Sequence, residues 1–463
     1  MEKCVQHNSS FRDTDAVVVK HNNEIIRFIF ESYKVNFDAF ESSGLLTQLH
    51  NNNQLITHTE ITKDKWPPNS FEKVYKVIQP SLVPFISYPY EWSFSQLKEA
   101  ALLTINIQLE ALEKNMSLKD ATGFNVQFIN GKPVFIDTTS FQMYKEGEPW
   151  EAYKQFCQHF LAPLFFYKYN NHHLIKLLWS NIDGIPLMAA SKALPYKTKF
   201  IFFVWTHIHY HAKLEAKYSS GADFKGTKLK MSKDKLKAFL LFIKNGVEKI
   251  ELPKSQTEWS DYYQTFSYST NSFKQKQSLV DSFLKKINSK QVLDVGCNEG
   301  EFSVIASQNA ENVVAVDFDY LVVEKLSRNL KKNGIENILP LILDISNPTP
   351  AIGWANTERQ SFFERAKFDS VLALAVIHHI CIGNNVPLDK VASLFASLCT
   401  NLIIEFVHKD DSQTQKLLIT KKDVFYNYTI DNFKIEFQKY FKIVSSENIE
   451  ESNRVLYLMT KHA

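Results

Sequence analysis

The stretch from Lys290 to Asp317 constrains the fold of this chain more than any other. "QVLDVGCNEGEFSVIAS" reads as an apolar strand, Gln291 to Val295, followed by a turn with glycines at 296 and 300 and then by a helix. "NVVAVDFD" supplies a second apolar strand that ends on Asp317. Strand, glycine turn, helix, strand and acid in that order are the signature of a doubly wound α/β sheet built around a nucleoside. Gly296 and Gly300 let the backbone bend sharply and come close to a ligand without a Cβ in the way. Asp317 stands 21 residues after Gly296, near the ~20-residue spacing at which a carboxylate reaches ribose hydroxyls.

The elements that follow complete such a sheet. "NILPLILDIS" offers a third strand ending at Asp344, and "FDSVLALAVIHHI" reads as a continuous apolar strand buried on both faces. "PLDKVASLFASLC" is an amphipathic helix leading to the strand "NLIIEFV", and "FKIVSSENI" and "RVLYLMT" should pair antiparallel. "DVGCNEG" resembles the first motif of class I S-adenosylmethionine-dependent methyltransferases, with Asp317 where that family binds ribose and Asp344 where it commonly meets the adenine amino group. The resemblance implies a Rossmann-like, seven-stranded sheet with an antiparallel last strand. It also implies a cofactor site of Asp294, Gly296, Cys297, Asn298, Gly300, Asp317, Phe318 and Asp344. Asn298 replaces the family's middle glycine; asparagine tolerates left-handed angles, but its side chain argues against a pyrophosphate on the loop, which makes NAD the weaker ligand.

The sulfonium methyl of that cofactor is already electrophilic, so the enzyme has mainly to hold a nucleophile in line and accept its proton. His378 and His379, at the end of the fourth strand, and Glu405, at the end of the fifth with His408, are placed for this. A histidine pKa near neutrality suits a base; packing is the alternative role for one of the pair. Tyr262, Tyr263, Phe266 and Tyr268 form an aromatic cluster ahead of the first strand, either covering the cofactor or docking the segment.

The N-terminal half opens with "AVVVK" and "EIIRFIF" around "HNN", a hairpin. Apolar residues at helical spacing run from Phe37 to Leu49, and a long, largely buried helix is expected from Ser95 to Leu112. "FNVQFI" and "PVFIDT" are then joined by Asn130-Gly131, the strongest short hairpin signal. Helical patterns cover Trp150 to Lys168, His172 to Trp179, Lys197 to Ala216 and Lys233 to Asn245. Asp120, Asn125 and Asp137, in "LKDATGFNVQFINGKPVFIDTTS", resemble the catalytic and metal-binding loops of protein kinases and aminoglycoside phosphotransferases. There the first acid positions a hydroxyl while the amide and second acid hold magnesium beside a triphosphate. Leu118 stands at the usual histidine position, Thr138 and Thr139 replace Phe-Gly, and neither a glycine-rich loop nor a clear strand lysine is present. The resemblance thus implies an α+β, degenerate kinase-like domain that binds substrate, partner or nucleotide, with ATP and magnesium as its conditional ligands. The plainer alternative is a hairpin whose Asp and Asn cap turns.

Composition bounds the rest. A chain of 463 residues with 36 Phe and 19 Tyr has apolar surface enough for two cores. We expect a kinase-like domain over 1–255 and a methyltransferase domain over 256–463, with the boundary in the polar "ELPKSQTEWSDYY". Five scattered cysteines without CxxC spacing read as reduced thiols in a cytoplasmic protein. The N-terminal residues lack a signal-like apolar core, and the run Phe200 to Trp205 is far too short to span a bilayer. Between Lys213 and Lys254 eleven lysines face five acids, a local excess without the aromatic interleaving of a nucleic-acid platform. "HIHYH" puts only His207 and His211 on one helical face, so packing rather than metal binding is expected.

Taken whole, with "YPYEWSFSQLKEAALL" and "LKDATGFNVQF" ahead of the methyltransferase motif, the chain resembles the nodulation NoeA-like methyltransferases over nearly its full length. Methyl transfer to a hydroxyl or other nucleophile of a small-molecule or glycan-type acceptor is the expectation. A fused phosphotransferase, methylation of protein or RNA, and a non-catalytic cofactor-binding scaffold are its rivals.

Overall fold

The structure is a computed structural model that describes residues 4–22, 24–68, 71–219, 230–253, 269–419, 421 and 423–462. The chain forms two compact units: residues 1–254 with 351–360, and residues 255–350 with 361–463. The return of 351–360 to the first unit has no counterpart in the sequence pattern.

The first unit opens with β1 (Val5–Gln6), β2 (Ala16–His21), β3 (Glu24–Phe30), β4 (His58–Glu60) and β5 (Val74–Pro80), an antiparallel sheet ordered β1-β2-β3-β5-β4. The expected hairpin is there: His21 pairs with Glu24, and Asn22 takes a φ of 49°. The apolar stretch Phe37 to Leu49 is two helices, Lys34–Ser42 and Leu45–Asn51, because Gly44 at φ 75° stops the first. Helix Phe94–Glu113 starts from a capping box in which Ser93 accepts from the Gln96 amide and Gln96 accepts from the Ser93 amide. Twelve of its side chains are buried, so it forms the unit's central rod.

Beyond it lie β6 (Met116–Leu118), β7 (Val126–Ile129), β8 (Lys132–Phe135) and β9 (Phe141–Met143). β7 and β8 are the second expected hairpin, with Asn130 and Gly131 both at positive φ. The pattern from Lys197 to Ala216 is not one helix. A short 3-10 turn, Tyr196–Phe200, ends where Ile201 turns extended at ψ 106°, and helix resumes at Phe202.

In the second unit, helix Thr270–Ile287 precedes β10 (Gln291–Val295), β11 (Asn312–Asp317), β12 (Ile338–Ile342), β13 (Phe368–Ala373), β14 (Cys399–Val407), β15 (Phe441–Asn448) and β16 (Arg454–Lys461). The sheet runs β12-β11-β10-β13-β14-β16-β15, parallel except for β16, which is antiparallel to both neighbours. Four of its strands are buried almost end to end because helices cover both faces. Val280, Phe283, Leu284, Val292, Ile403 and Leu456 belong to one apolar cluster, where each side chain contributes roughly 1.5–3 kcal/mol by leaving water.

The fourth strand is shorter than its apolar run implied. It ends at Ala373, Ala375 takes a left-handed φ of 52°, and the chain then coils, so His378 and His379 open a helical turn, His379–Gly383, beyond the strand. Burial makes that turn as apolar as the strand, which is why periodicity alone could not separate them.

Candidate active site

The carboxyl ends of β10, β11 and β13 open onto a cavity of about 330 Å³ lined by the expected glycine loop and acids. Its wall takes in Asp294, Gly296, Cys297, Asn298, Asp317, Phe318 and Asp344, together with Phe273, Lys276, Ser346, His379 and Asn384. Gly296 and Gly300 adopt φ 70° and 88°, and Asn298, in the place of a third glycine, adopts φ 49°. The left-handed bend is thus kept by an asparagine, whose short side chain pays little for it. A Cβ on Gly300 would sit 2.3 Å from Leu326 Cδ1, and one on Gly296 would come within 3.2 Å of Val376. The first packs the loop against its helix; the second keeps the backbone open toward the cavity.

Asp317 ties this loop to the second strand. Its Oδ2 accepts from the Asn298 amide and its Oδ1 from the Asp319 amide, each at 3.0 Å. Burial pushes its carboxyl up to about 6 against these two donors. Asp294, deeper in the strand, is likewise pushed up to about 6 by burial, and the Ser303 hydroxyl donates to it at 2.6 Å. A ribose whose hydroxyls donate to Asp317 needs the ionised form, so cofactor affinity should fall as pH drops through about 6, by about tenfold per unit below it. Titration calorimetry across pH 5 to 8 would show this, and a flat profile would remove Asp317 from the contact. Asp344 lies two residues past the end of β12 rather than within it, and its Oδ1 accepts from the Ser346 amide at 2.8 Å.

The candidate catalytic residues separate. His379 lines the cavity; His378 and Glu405 do not. His378 is buried, and neither ring nitrogen has a hydrogen-bond partner among the described residues. Burial, then His379, Arg454 and Lys276, hold it well below the usual imidazole range. Burial and Arg454 lower His379 to about 4. It is therefore neutral at physiological pH, able to accept a hydrogen bond but weaker as a base than an unperturbed imidazole. Glu405 is wholly enclosed, with Lys276 Nζ at 2.6 Å and Arg454 at 3.4 Å, and Arg454 continues to Asp411 at 2.8 Å. Its place is behind the cavity wall, holding Lys276, whose ammonium lies 4.7 Å from the centre of the Phe302 ring.

Lys276 escaped the sequence reading although a signal existed: it follows Phe273 by three residues and precedes Val280 by four, on the apolar stripe of its helix. Tyr262, Tyr263, Phe266 and Tyr268 lie outside the described residues.

In the first unit the structure gathers Asp120, Asn125 and Asp137. Asp120 accepts from the Thr122 amide at 3.0 Å and from the Asn125 side chain; burial and then the charge of Asp137 raise its carboxyl. Burial would raise Asp137 as well, but Arg27, Ser140 and Thr139 outweigh it and hold the group below its ordinary value. Arg27, a cation on β3, donates directly to Asp137 Oδ1. The histidines of "HIHYH" are packed: His207 bonds Tyr153 at 2.6 Å, and His209 bonds Ser191 and Thr198, each at 2.8 Å.

The donor set fits an adenosyl ligand: a backbone cradle that a Cβ would narrow, a carboxylate at its rim and an apolar wall. A protein-family model described as a methyltransferase domain matches residues 287–449. Nodulation protein NoeA of Rhizobium meliloti (strain 1021) is 32% identical over 459 residues, 97% of this chain and 94% of the relative. Ribosomal protein L11 methyltransferase of Shewanella pealeana shares 37% identity over 62 residues, 13% of this chain and 21% of that protein. Among solved structures, the N-methyltransferase NodS from Bradyrhizobium japonicum WM9 aligns at 9% identity over 42% of this chain and 99% of its own, with a TM-score of 0.32. WbdD, titled a bifunctional kinase-methyltransferase, aligns at 18% over 46% of this chain and 45% of its own, with a TM-score of 0.31. Given the identity across nearly the whole of both chains, this protein belongs to the family of nodulation protein NoeA and is an S-adenosylmethionine-dependent methyltransferase.

Proposed function

We propose that the enzyme methylates a hydroxyl or another nucleophile on a small-molecule or glycan-type acceptor. The observation that carries this reading is the presence of His379 and Asn384 in the same cavity as Asp317 and the glycine loop. Bound there, S-adenosylmethionine supplies an electrophilic methyl group. Asp317 accepts the ribose hydroxyls, the loop from Gly296 to Gly300 admits the adenosyl group against bare backbone, and Asp344 stands at the edge for the adenine amino group. His379, neutral and facing the cavity, accepts a hydrogen bond from the acceptor, orients its lone pair and takes up the proton released as the methyl is transferred. A folded nucleic acid or protein would have to present one extended residue to enter a cavity of this size, whereas a small acceptor needs no such rearrangement.

Incubating the purified enzyme and labelled S-adenosylmethionine with a metabolite and glycolipid extract, then scanning by mass spectrometry for products heavier by one methyl, tests the reading. Label found solely in protein or RNA would replace it, and cofactor binding without any product would leave a scaffold. His379→Ala is expected to lower kcat by about a hundredfold with unchanged cofactor affinity; unchanged turnover would take His379 out of the mechanism.

For the first unit we infer a binding role. A second reading, phosphoryl transfer, is favoured by Arg27 meeting Asp137 beside Asp120 and Asn125, the arrangement of a strand cation with two acids and an amide. Against it, both oxygens of Asp137 already accept from Arg27, Thr139 and Ser140. Magnesium-dependent ATP binding that Asp137→Ala abolishes would establish the phosphotransferase reading. Absence of ATP binding at millimolar concentration would dismiss it.

A further inference from the structure

The first unit carries an exposed aromatic surface that neither site uses. Between Ile185 and Leu214 the chain has four lysines, Lys192, Lys197, Lys199 and Lys213, and no aspartate or glutamate. Within that stretch Phe200 is 77% exposed, Tyr196 70%, Phe202 69% and Trp205 41%. These rings lie close in sequence and fall into pairs. Tyr196 and Phe200 are in edge contact with centroids 5.6 Å apart, and Phe202 reaches Phe242, itself exposed, at 6.0 Å. The break at Ile201 is what presents Phe200, Ile201 and Phe202 outward in succession, since a continuous helix would have turned at least one of them inward. Lone exposed apolar residues are ordinary, but several exposed aromatic rings within one short stretch mark a place where something binds.

We propose that this surface docks the protein on an anionic lipid bilayer. Charge and ring chemistry select that occupant. Lys197 and Lys199 flank the most exposed rings, with the Lys199 ammonium 4.8 Å from the centre of the Tyr196 ring. On a bilayer their stems lie along the apolar layer and their heads reach the phosphates. Tyr196 and Trp205 are amphipathic rings of the kind that settle at headgroup depth, and Phe200 and Phe202 extend into the acyl region. A second copy of the chain fits worse. A two-fold interface would bring the patch against itself and set lysines against lysines with no carboxylate from this stretch to answer them.

Co-sedimentation of the full-length enzyme with vesicles of phosphatidylglycerol and phosphatidylcholine tests the proposal, with vesicles of phosphatidylcholine alone as control. Wild type should pellet with the anionic vesicles and be released by salt. Phe200→Ser with Phe202→Ser should weaken the partition by about tenfold for each ring. Lys197→Glu with Lys199→Glu should abolish the preference for anionic vesicles. All four side chains project from the surface, so methyltransferase activity on a water-soluble acceptor and the circular dichroism spectrum should stay unchanged. Failure of wild type to pellet, or pelleting of both double variants equal to that of wild type, would overturn the proposal. Self-association in sedimentation velocity that the phenylalanine substitutions remove, without vesicle binding, would assign the surface to a second copy instead.

Discussion

Replacing Asp317 with alanine should weaken S-adenosylmethionine binding roughly a thousandfold. Hydrogen bonds to a charged group contribute about 1.5–3 kcal/mol each, and a ribose offers two hydroxyls to this carboxylate. Together they come to about 4 kcal/mol, or three decades in Kd. The loss does not stop at the ligand. Asp317 also accepts from the amides of Asn298 and Asp319, so alanine leaves the loop amide without its partner and loosens the bend proposed to receive the adenosyl group. Asp317→Asn retains one acceptor oxygen and removes the charge, and should fall between the two while abolishing the pH dependence near 6 described above. Calorimetry on the three proteins measures the series. Equal affinity in all three would show that the carboxylate only braces the loop.

The second large effect is on stability. Glu405 is wholly buried between Lys276 and Arg454, and removing one partner of a buried ion pair typically costs about 3–5 kcal/mol because a charge is left without compensation. Glu405→Ala should therefore destabilise the second unit by about that amount, read as a lower denaturant midpoint of its transition. Lys276 is the nearer of these two partners of Glu405, at 2.6 Å against 3.4 Å for Arg454, and Arg454 also meets Asp411. It follows that Lys276→Met combined with Glu405→Leu should recover most of the loss, since apolar replacement of a buried pair is often close to neutral. If the double variant were no better than Glu405→Ala, the cost would come from packing at the end of β14 rather than from charge. The combination separates stability from function as well, because Lys276 lines the cavity and its removal should alter cofactor affinity even where the fold is restored.

Much of the second unit could be read from residues. Seven apolar runs gave seven strands, the first three bounded by glycine or acid, and the bend at Gly296 to Gly300 with Asp317 across from it is where the spacing placed it. The signal is strong there because the backbone itself is constrained: a left-handed φ at 296, 298 and 300 admits few residue types. Legibility failed where burial masks geometry. The turn at His378 and His379 is as apolar as the strand before it, so the apolar run reads on seven residues past the strand's end at Ala373, to Ile380. The low basicity of His379 follows from enclosure and from Arg454, which comes from a strand 75 residues later. Lys276 with Glu405, and Arg27 with Asp137, are pairs separated by 129 and 110 residues; no local pattern announces a contact that only the completed fold creates. The grouping of residues 351–360 with the first unit is of the same kind.

The cavity above Asp317 is proposed to be an adenosyl site that serves methyl transfer. Titrating S-adenosylmethionine and its demethylated product into the intact, folded protein tests this most directly. Both should bind at one site per chain and compete with each other, and Asp317→Ala should remove both heats together. A folded enzyme that releases no heat with either ligand, or one whose binding is indifferent to Asp317, would contradict it.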